Sequence, residues 1–278
     1  NEFVLGDAGA TSDNLAPRFS QIQYAWRSSD LKIQEQIWRV LAANARHAAA
    51  VSFCRAFVRW VTKTRVGLPN QALAHLTWRN LQAVGAPVFD EEAKAFGRAI
   101  QAHLGIEQMD DPLIPGVSVL TPPEENEARL HAALPPWQKH LSADDYVEFC
   151  WHCPTVRLLV GRPRLRPPSP GFTYPAWAYN ALGGLPAAVD PGLFVAAKTM
   201  ALTILDLIAD QAALAAARAE FEQRTGGGVG GSAWVGPLLP ADFDPAIDLR
   251  WPEYVTTPRG TEWTFPTPKS GTGAGEPL

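Results

Sequence analysis

Cys150-Trp151-His152-Cys153 gathers three metal-binding side chains into four residues. A closed structural zinc site needs four such ligands in a tetrahedral array. The chain holds three cysteines, Cys54, Cys150 and Cys153, and no second Cys-x-x-Cys. A closed zinc site is therefore not supported. A thioredoxin-like redox pair would sit on a helix, and Pro154 follows at once. The composition from Val147 to Val160 is instead that of a buried strand. His47, His75 and His103 fall on predicted helices as surface or packing residues. His131 and His140 fall in a loop excursion where nothing positions them. Gly226 to Gly231 lacks the Lys-Ser/Thr of a phosphate-binding loop and reads as a linker.

The elements that must position any chemistry begin with a strand already under way at Phe3. Gly6 and Gly9 permit a turn. Residues 21–27 alternate, with Ile22, Tyr24 and Trp26 on one face and Gln21, Gln23, Ala25 and Arg27 on the other. Asn14 and Arg27 thus frame a loop-to-strand passage. Ser28-Ser29-Asp30 caps a helix over about 30–50, and residues 53–62 read as a strand buried on both faces. Strand, strand, helix, strand are the last four elements of a ferredoxin-like domain. Its opening strand and helix are expected from a preceding segment or a companion chain. Further helices are predicted after Asn70, ended by Gly85, and after Asp90, ended near Gly105. Residues 106–140 read as a Pro-rich surface excursion, 193–214 as one helix, and 263–278 as a mobile tail.

The bulk properties narrow the function classes. With 278 residues, 46% hydrophobic and 19% charged, the chain is long and apolar enough for a real core. A net charge of −4 offers no basic face for nucleic acid or a membrane surface. No apolar run is read as long enough to span a bilayer. The few, unevenly placed cysteines point to a reducing, cytoplasmic setting.

Several segments, in order, resemble one enzyme family. Gly-x-x-x-x-Asn-x-x-Pro ending at Pro17, with Tyr24-x-x-Arg27, is similar to the lid of the aminoacylase and glutamate-carboxypeptidase family of metallohydrolases. The nearest branch is that of the p-aminobenzoyl-glutamate hydrolase B subunits. Leu68-Pro69-Asn70, Asp90–Phe96 with Ile100-Gln101, and Val195–Ala201 follow the same pattern. Ser142–Trp151 with Pro154-Thr155 is similar to a family Ser-Thr-Asp-x-x-Asp-x-x-Trp stretch. The resemblance covers about residues 3–220. It implies a two-domain α/β metallohydrolase with an α+β lid. Residues 1–64 would be the second part of a ferredoxin-like, dimerising lid, and 65–262 the C-terminal half of the catalytic domain. It further implies that Asn14 grips the scissile carbonyl and Arg27 the substrate carboxylate, for which a guanidinium fork is suited. The cofactor implied is a divalent metal, zinc or manganese, ligated mainly by an N-terminal half or companion subunit. The substrate implied is the amide of an N-acyl amino acid or related small molecule.

The departures bear on catalysis. Where the family places its last metal-ligating histidine, this sequence carries Phe172, and no histidine follows His152. Asp145 and Asp190 are the carboxylates nearest to serving instead, since oxygen donors suit several divalent ions. Each also fits a helix cap or a solvated loop. Two readings stay open: part of an active metal-dependent amidohydrolase, or a non-catalytic structural or regulatory subunit that has lost a ligand. Asn14 and Arg27 favour the first, and Phe172 the second.

Overall fold

The computed structural model describes residues 2–8, 19–28, 30–58, 60–134, 145–243, 253–264 and 276–277. These form a helix-rich chain with a few short antiparallel strand pairs. Two compact units divide it: Asn1–Gly67 with Gln138–Glu148 and Val235–Leu278, and Leu68–Trp137 with Phe149–Trp234. Each unit is therefore built from stretches that are discontinuous in sequence.

The first unit opens with β1 (Glu2–Ala8) and β2 (Phe19–Tyr24), antiparallel, with Val4 opposite Ile22 and a register shift between Leu5 and Ala8. Helix α1 (Leu31–Val51) follows, with the Asp30 side chain accepting from Lys32 N at 2.7 Å. The strand expected over residues 53–62 contracts to β3 (Phe57–Val58). The reason lies in how α1 stops. Cys54 N–H bonds back to Ala49 O, and Phe53 N–H to Ala50 O. This is a Schellman ending, with Phe53 in the left-handed position at φ 54°. It consumes the first residues of the expected strand. A hairpin of β4 (Glu253–Thr257) and β5 (Gly260–Thr264) had no forecast in the sequence. The last pair joins β3 to β6 (Glu276–Pro277), within what was expected to be tail.

The second unit carries helices α2 (Gln71–Val84), α3 (Glu91–His103), α4 (Pro123–Ala132), α5 (Ala176–Gly183), α6 (Pro186–Ala209) and α7 (Gln211–Thr225). Among its described residues there is no strand, only an isolated bridge between Leu113 and Leu165. The α/β class expected of this half is therefore not what these residues display. Helices α2 and α3 start where predicted, and each is capped: Asn70 accepts from Leu73 N at 3.0 Å and Asp90, the predicted cap, from Ala93 N at 3.1 Å. Gly85 ends α2 with positive φ. One core joins Phe89, Ala93, Ile100, Leu113, Val117 and Leu165 to Tyr174 and α5. Leu113 and Val117 belong to the predicted surface excursion. They are held inward by Ile114 N→Arg164 O (2.9 Å) and Arg166 N→Pro112 O (2.7 Å). The second core sets Leu73 and Leu76 of α2 against Ala217 of α7.

Four further expectations are corrected here. The predicted strand 147–160 is a 3-10 helix, Asp145–Trp151, followed by irregular chain. Val147, Cys150 and Trp151 are buried at i, i+3 and i+4, a helical spacing that β-rich composition concealed. The single helix 193–214 is α6 plus α7. Helix α6 begins earlier and runs through Pro191, which near the start of a helix removes one hydrogen bond. It ends because the Asp210 carboxylate accepts from both Ala212 N (2.9 Å) and Ala213 N (3.3 Å) and starts α7. By length and composition α6 is also apolar enough to cross a membrane, an apolar run that division at Pro191-Gly192 hid. Finally, Gly226–Gly231 is a tight turn and no linker. A Cβ on Gly226 would lie 2.2 Å from Ser232 Oγ, and one on Gly231 2.5 Å from Thr225 O.

Candidate functional site

Arg27 lies just beyond the end of β2 and is exposed. Its neighbour Trp26 fixes that stretch of chain. The Trp26 ring meets Trp60 edge-on at 5.7 Å, and Trp60 lies 4.8 Å from Trp38 of α1. Lys63 Nζ sits 3.9 Å over the Trp60 ring, a cation–π contact that closes the cluster. Aromatic packing of this kind holds the main chain at Arg27 while leaving its guanidinium on the surface. Asn14 lies outside the described residues, so the expected pairing with Arg27 has no geometry here.

The most enclosed charge among the described residues escaped the sequence reading. Arg65 is 1% exposed. Its Nε donates to Glu148 Oε2 at 2.8 Å and its Nη1 to Val235 O at 2.8 Å. Nη2 stands 2.6 Å from the same Oε2 and donates to Glu148 O at 3.2 Å. The Arg65 backbone N–H donates to Glu148 Oε1 at 2.7 Å. One side chain thus ties three stretches of the first unit together, among them the 3-10 helix that Asp145 opens. The sequence offered half a signal, since Glu148 stands in the Asp-x-x-Glu-x-x-Trp stretch. Nothing local marked Arg65.

Asp145 begins that 3-10 helix in the first unit, and Asp190 is half-buried in the second turn of α6. Phe172 packs edge-on against Tyr174 at 5.0 Å. Tyr174 is itself fixed, donating to Arg166 O (2.9 Å) and accepting from Gln101 Nε2 (3.2 Å). Phe172 therefore serves as an aromatic packing residue, and a phenyl ring offers no donor atom to a metal. Among the described residues no three His, Cys, Asp or Glu side chains gather as a metal site would require. The donors placed here do not by themselves fit a divalent ion.

The Cys-x-x-Cys segment is split by environment. Cys150 is buried and Cys153 exposed. Burial pushes the Cys150 thiol up, against hydrogen bonds to Leu68 and Thr155 that pull it down. The Trp151 carbonyl accepts from Trp234 Nε1 at 2.5 Å, and His152 meets the Trp234 ring edge-on at 6.1 Å. These contacts are structural. A thiol reagent near pH 8 is expected to label Cys54 and Cys153 quickly and Cys150 only after denaturation, because thiolate and access are both needed. Counting labelled thiols by mass before and after adding urea checks this, and three fast sites would contradict the buried placement.

The sequence-predicted residues thus separate into Arg27, displayed on the surface, and Asp145, Phe172 and Asp190, which form no common centre among the described residues. Comparison with protein-family models, with curated proteins and with solved structures finds no match to this chain.

Proposed function

We propose that this chain is the C-terminal portion of a metal-dependent amidohydrolase that cleaves the amide of an N-acyl amino acid or related small molecule. In this reading residues 1–64 belong to a ferredoxin-like lid and residues 65–262 to the latter half of a catalytic domain. The observation that carries it is Arg27: an exposed guanidinium beside a rigid three-tryptophan cluster. A surface arginine held this way suits bidentate capture of a carboxylate. The metal, zinc or manganese, would be held mainly by a companion segment, and when bound would supply an activated water. This chain's own part is to bind and orient substrate. Its three cysteines are unpaired, in keeping with a reducing, cytoplasmic setting.

In the assembled enzyme, Arg27→Ala is expected to lower kcat/KM by about 30-fold or more, the lower end of what truncating one partner of a charge pair costs. Arg27→Lys restores only part, because an ammonium replaces a fork. Steady-state kinetics on both variants decide it, and unchanged values would reduce Arg27 to a surface residue. Phe172 favours the second reading, a non-catalytic subunit. A structure of the assembled complex with an empty, apolar cleft around Phe172 would establish that alternative.

A further inference from the structure

The sequence offers no helix for a redox pair at Cys150 and Cys153, yet the structure supplies a helical turn. Cys150 lies in the 3-10 helix Asp145–Trp151. The turn continues past it, since His152 N–H and Cys153 N–H both donate to Phe149 O, at 3.0 and 3.1 Å. In a 3-10 turn residues i and i+3 eclipse, roughly 6 Å apart at a rise of about 2 Å per residue. A disulfide accepts Cα atoms about 4.4–6.8 Å apart. Cys150 and Cys153 therefore stand in a register from which their sulfurs can join.

The side chains agree with the backbone. Thr155 Oγ1 lies 3.8 Å from Cys153 Sγ and hydrogen-bonds to Cys150 as well. One hydroxyl thus touches both thiols. Cys153 Sγ also donates to Phe149 O at 3.7 Å, which folds it back onto the same turn. Burial is the main cause that raises the Cys150 thiol, and repulsion from a Cys153 thiolate adds to it. Access divides the pair: Cys153 is exposed, and Cys150 is 2% exposed. An exposed thiol can meet a small oxidant in solution. A buried thiol beside it reacts inward, where proximity compensates for the proton that burial keeps on it.

We propose that Cys150 and Cys153 form a reversible dithiol–disulfide pair, oxidised by a low-molecular-weight disulfide of the glutathione class. Cys153, as thiolate, attacks one sulfur of the small disulfide; that S–S bond breaks and one thiolate leaves. Cys150 then gives its proton to solvent and attacks the Cys153 sulfur; the mixed S–S bond breaks and a second small thiolate leaves. Both departing thiolates take up a proton, so one small disulfide is reduced to two thiols while the protein dithiol is oxidised. The dithiol is the resting form, and all three cysteines are thiols here. Disulfides in a reducing compartment are usually transient and catalytic or redox-sensing. The pair needs only residues of this chain and stands apart from the amidohydrolase reading.

The test incubates the full chain in glutathione buffers of graded oxidised-to-reduced ratio, quenches with acid, alkylates in urea and digests with trypsin. Cleavage after Lys139 and Arg157 leaves both cysteines in one peptide, and Cys54 in another that ends at Arg55. The expected product is the first peptide, lighter by two hydrogen atoms, without an alkyl group, and restored by dithiothreitol. It should form at a ratio about tenfold or more less oxidising than the urea-unfolded chain requires, because the turn already holds the two side chains together. Cys150→Ser should stop at the mixed disulfide, with glutathione on Cys153. Cys153→Ser should leave Cys150 alkylated at every ratio. Cys153 is exposed, so this second variant keeps its fold, verified by circular dichroism, even where Cys150→Ser does not. A parent peptide that stops at the mixed disulfide, or keeps both thiols open to alkylation throughout, overturns the proposal. So does a midpoint equal to that of the unfolded chain.

Discussion

Replacing Arg65 by methionine is expected to lower the unfolding free energy by about 3 kcal/mol. The side chain is 1% exposed and reaches Glu148 by side chain and carbonyl, and Val235 by its carbonyl. Methionine fills part of the volume but leaves the Glu148 carboxylate without its guanidinium and the Val235 carbonyl without its donor. Removing one partner of a buried ion pair costs about 3–5 kcal/mol. The Glu148 side chain is 36% exposed and can recover some hydration, which places the cost at the lower end. Arg65→Lys should recover less than half, since one ammonium cannot reach all these acceptors in the geometry of a fork. Urea unfolding of the assembled protein measures both. A midpoint shift in Arg65→Met no larger than that of an exposed-site variant would show the clamp to be energetically idle. A double-mutant cycle with Glu148→Gln isolates the pair itself.

The second large effect is expected at Glu220. This residue lies on α7, yet its carboxylate accepts from Gln71 N at 2.9 Å and Ala72 N at 2.8 Å. Those are two of the orphan N–H groups at the start of α2. Arg224 Nε donates to the same carboxylate at 2.8 Å. Burial alone would push the Glu220 carboxyl up, but the two backbone donors and Arg224 outweigh it and hold the group below its ordinary value of 4.5. Glu220→Ala should cost about 2 kcal/mol at neutral pH, in the range for hydrogen bonds to a charged group. The sign of the pH dependence follows from the lowered folded value. The stabilisation is complete above the unfolded glutamate value and is lost as pH falls through the lower folded one. The gap between parent and variant should therefore be widest near neutrality and close with acidification below about pH 4. A gap that stays constant down to pH 3 would mean that the charge contributes nothing.

The sequence made the local signals legible and hid the long-range ones. Asp30, Asn70 and Asp90 are caps whose partners lie within three residues, and Gly85 ends a helix by its own backbone freedom. Such features are properties of a short window. Arg65 finds Glu148 across 83 positions and Val235 across 170, and no window contains both ends. The excursion 106–140 was misjudged for a related reason. Its prolines and acids dominate the composition, while the two side chains that enter the core, Leu113 and Val117, are few. The strand at 147–160 was lost to propensity, which favours β for Val, Phe, Tyr and Trp but yields to burial pattern. Arg27 lies past the end of β2, so its exposure is not a product of strand alternation. Asp145 and Asp190 were named for their oxygen chemistry, and chemistry without placement does not define a centre.

Asp210 joins α6 to α7 with no loop between them. Its backbone N–H closes α6 on Asp206 O at 2.7 Å while its carboxylate opens α7. A corner made of one residue has no slack. Each residue of helix advances the azimuth by about 100°, so one residue inserted after Asp210 would turn α7 by more than a quarter revolution against α6. Ala217 would leave its seat on Leu73 and Leu76, and Glu220 would swing away from Gln71. The corner therefore works as a phase lock, and this joint should tolerate substitution far better than any change in length.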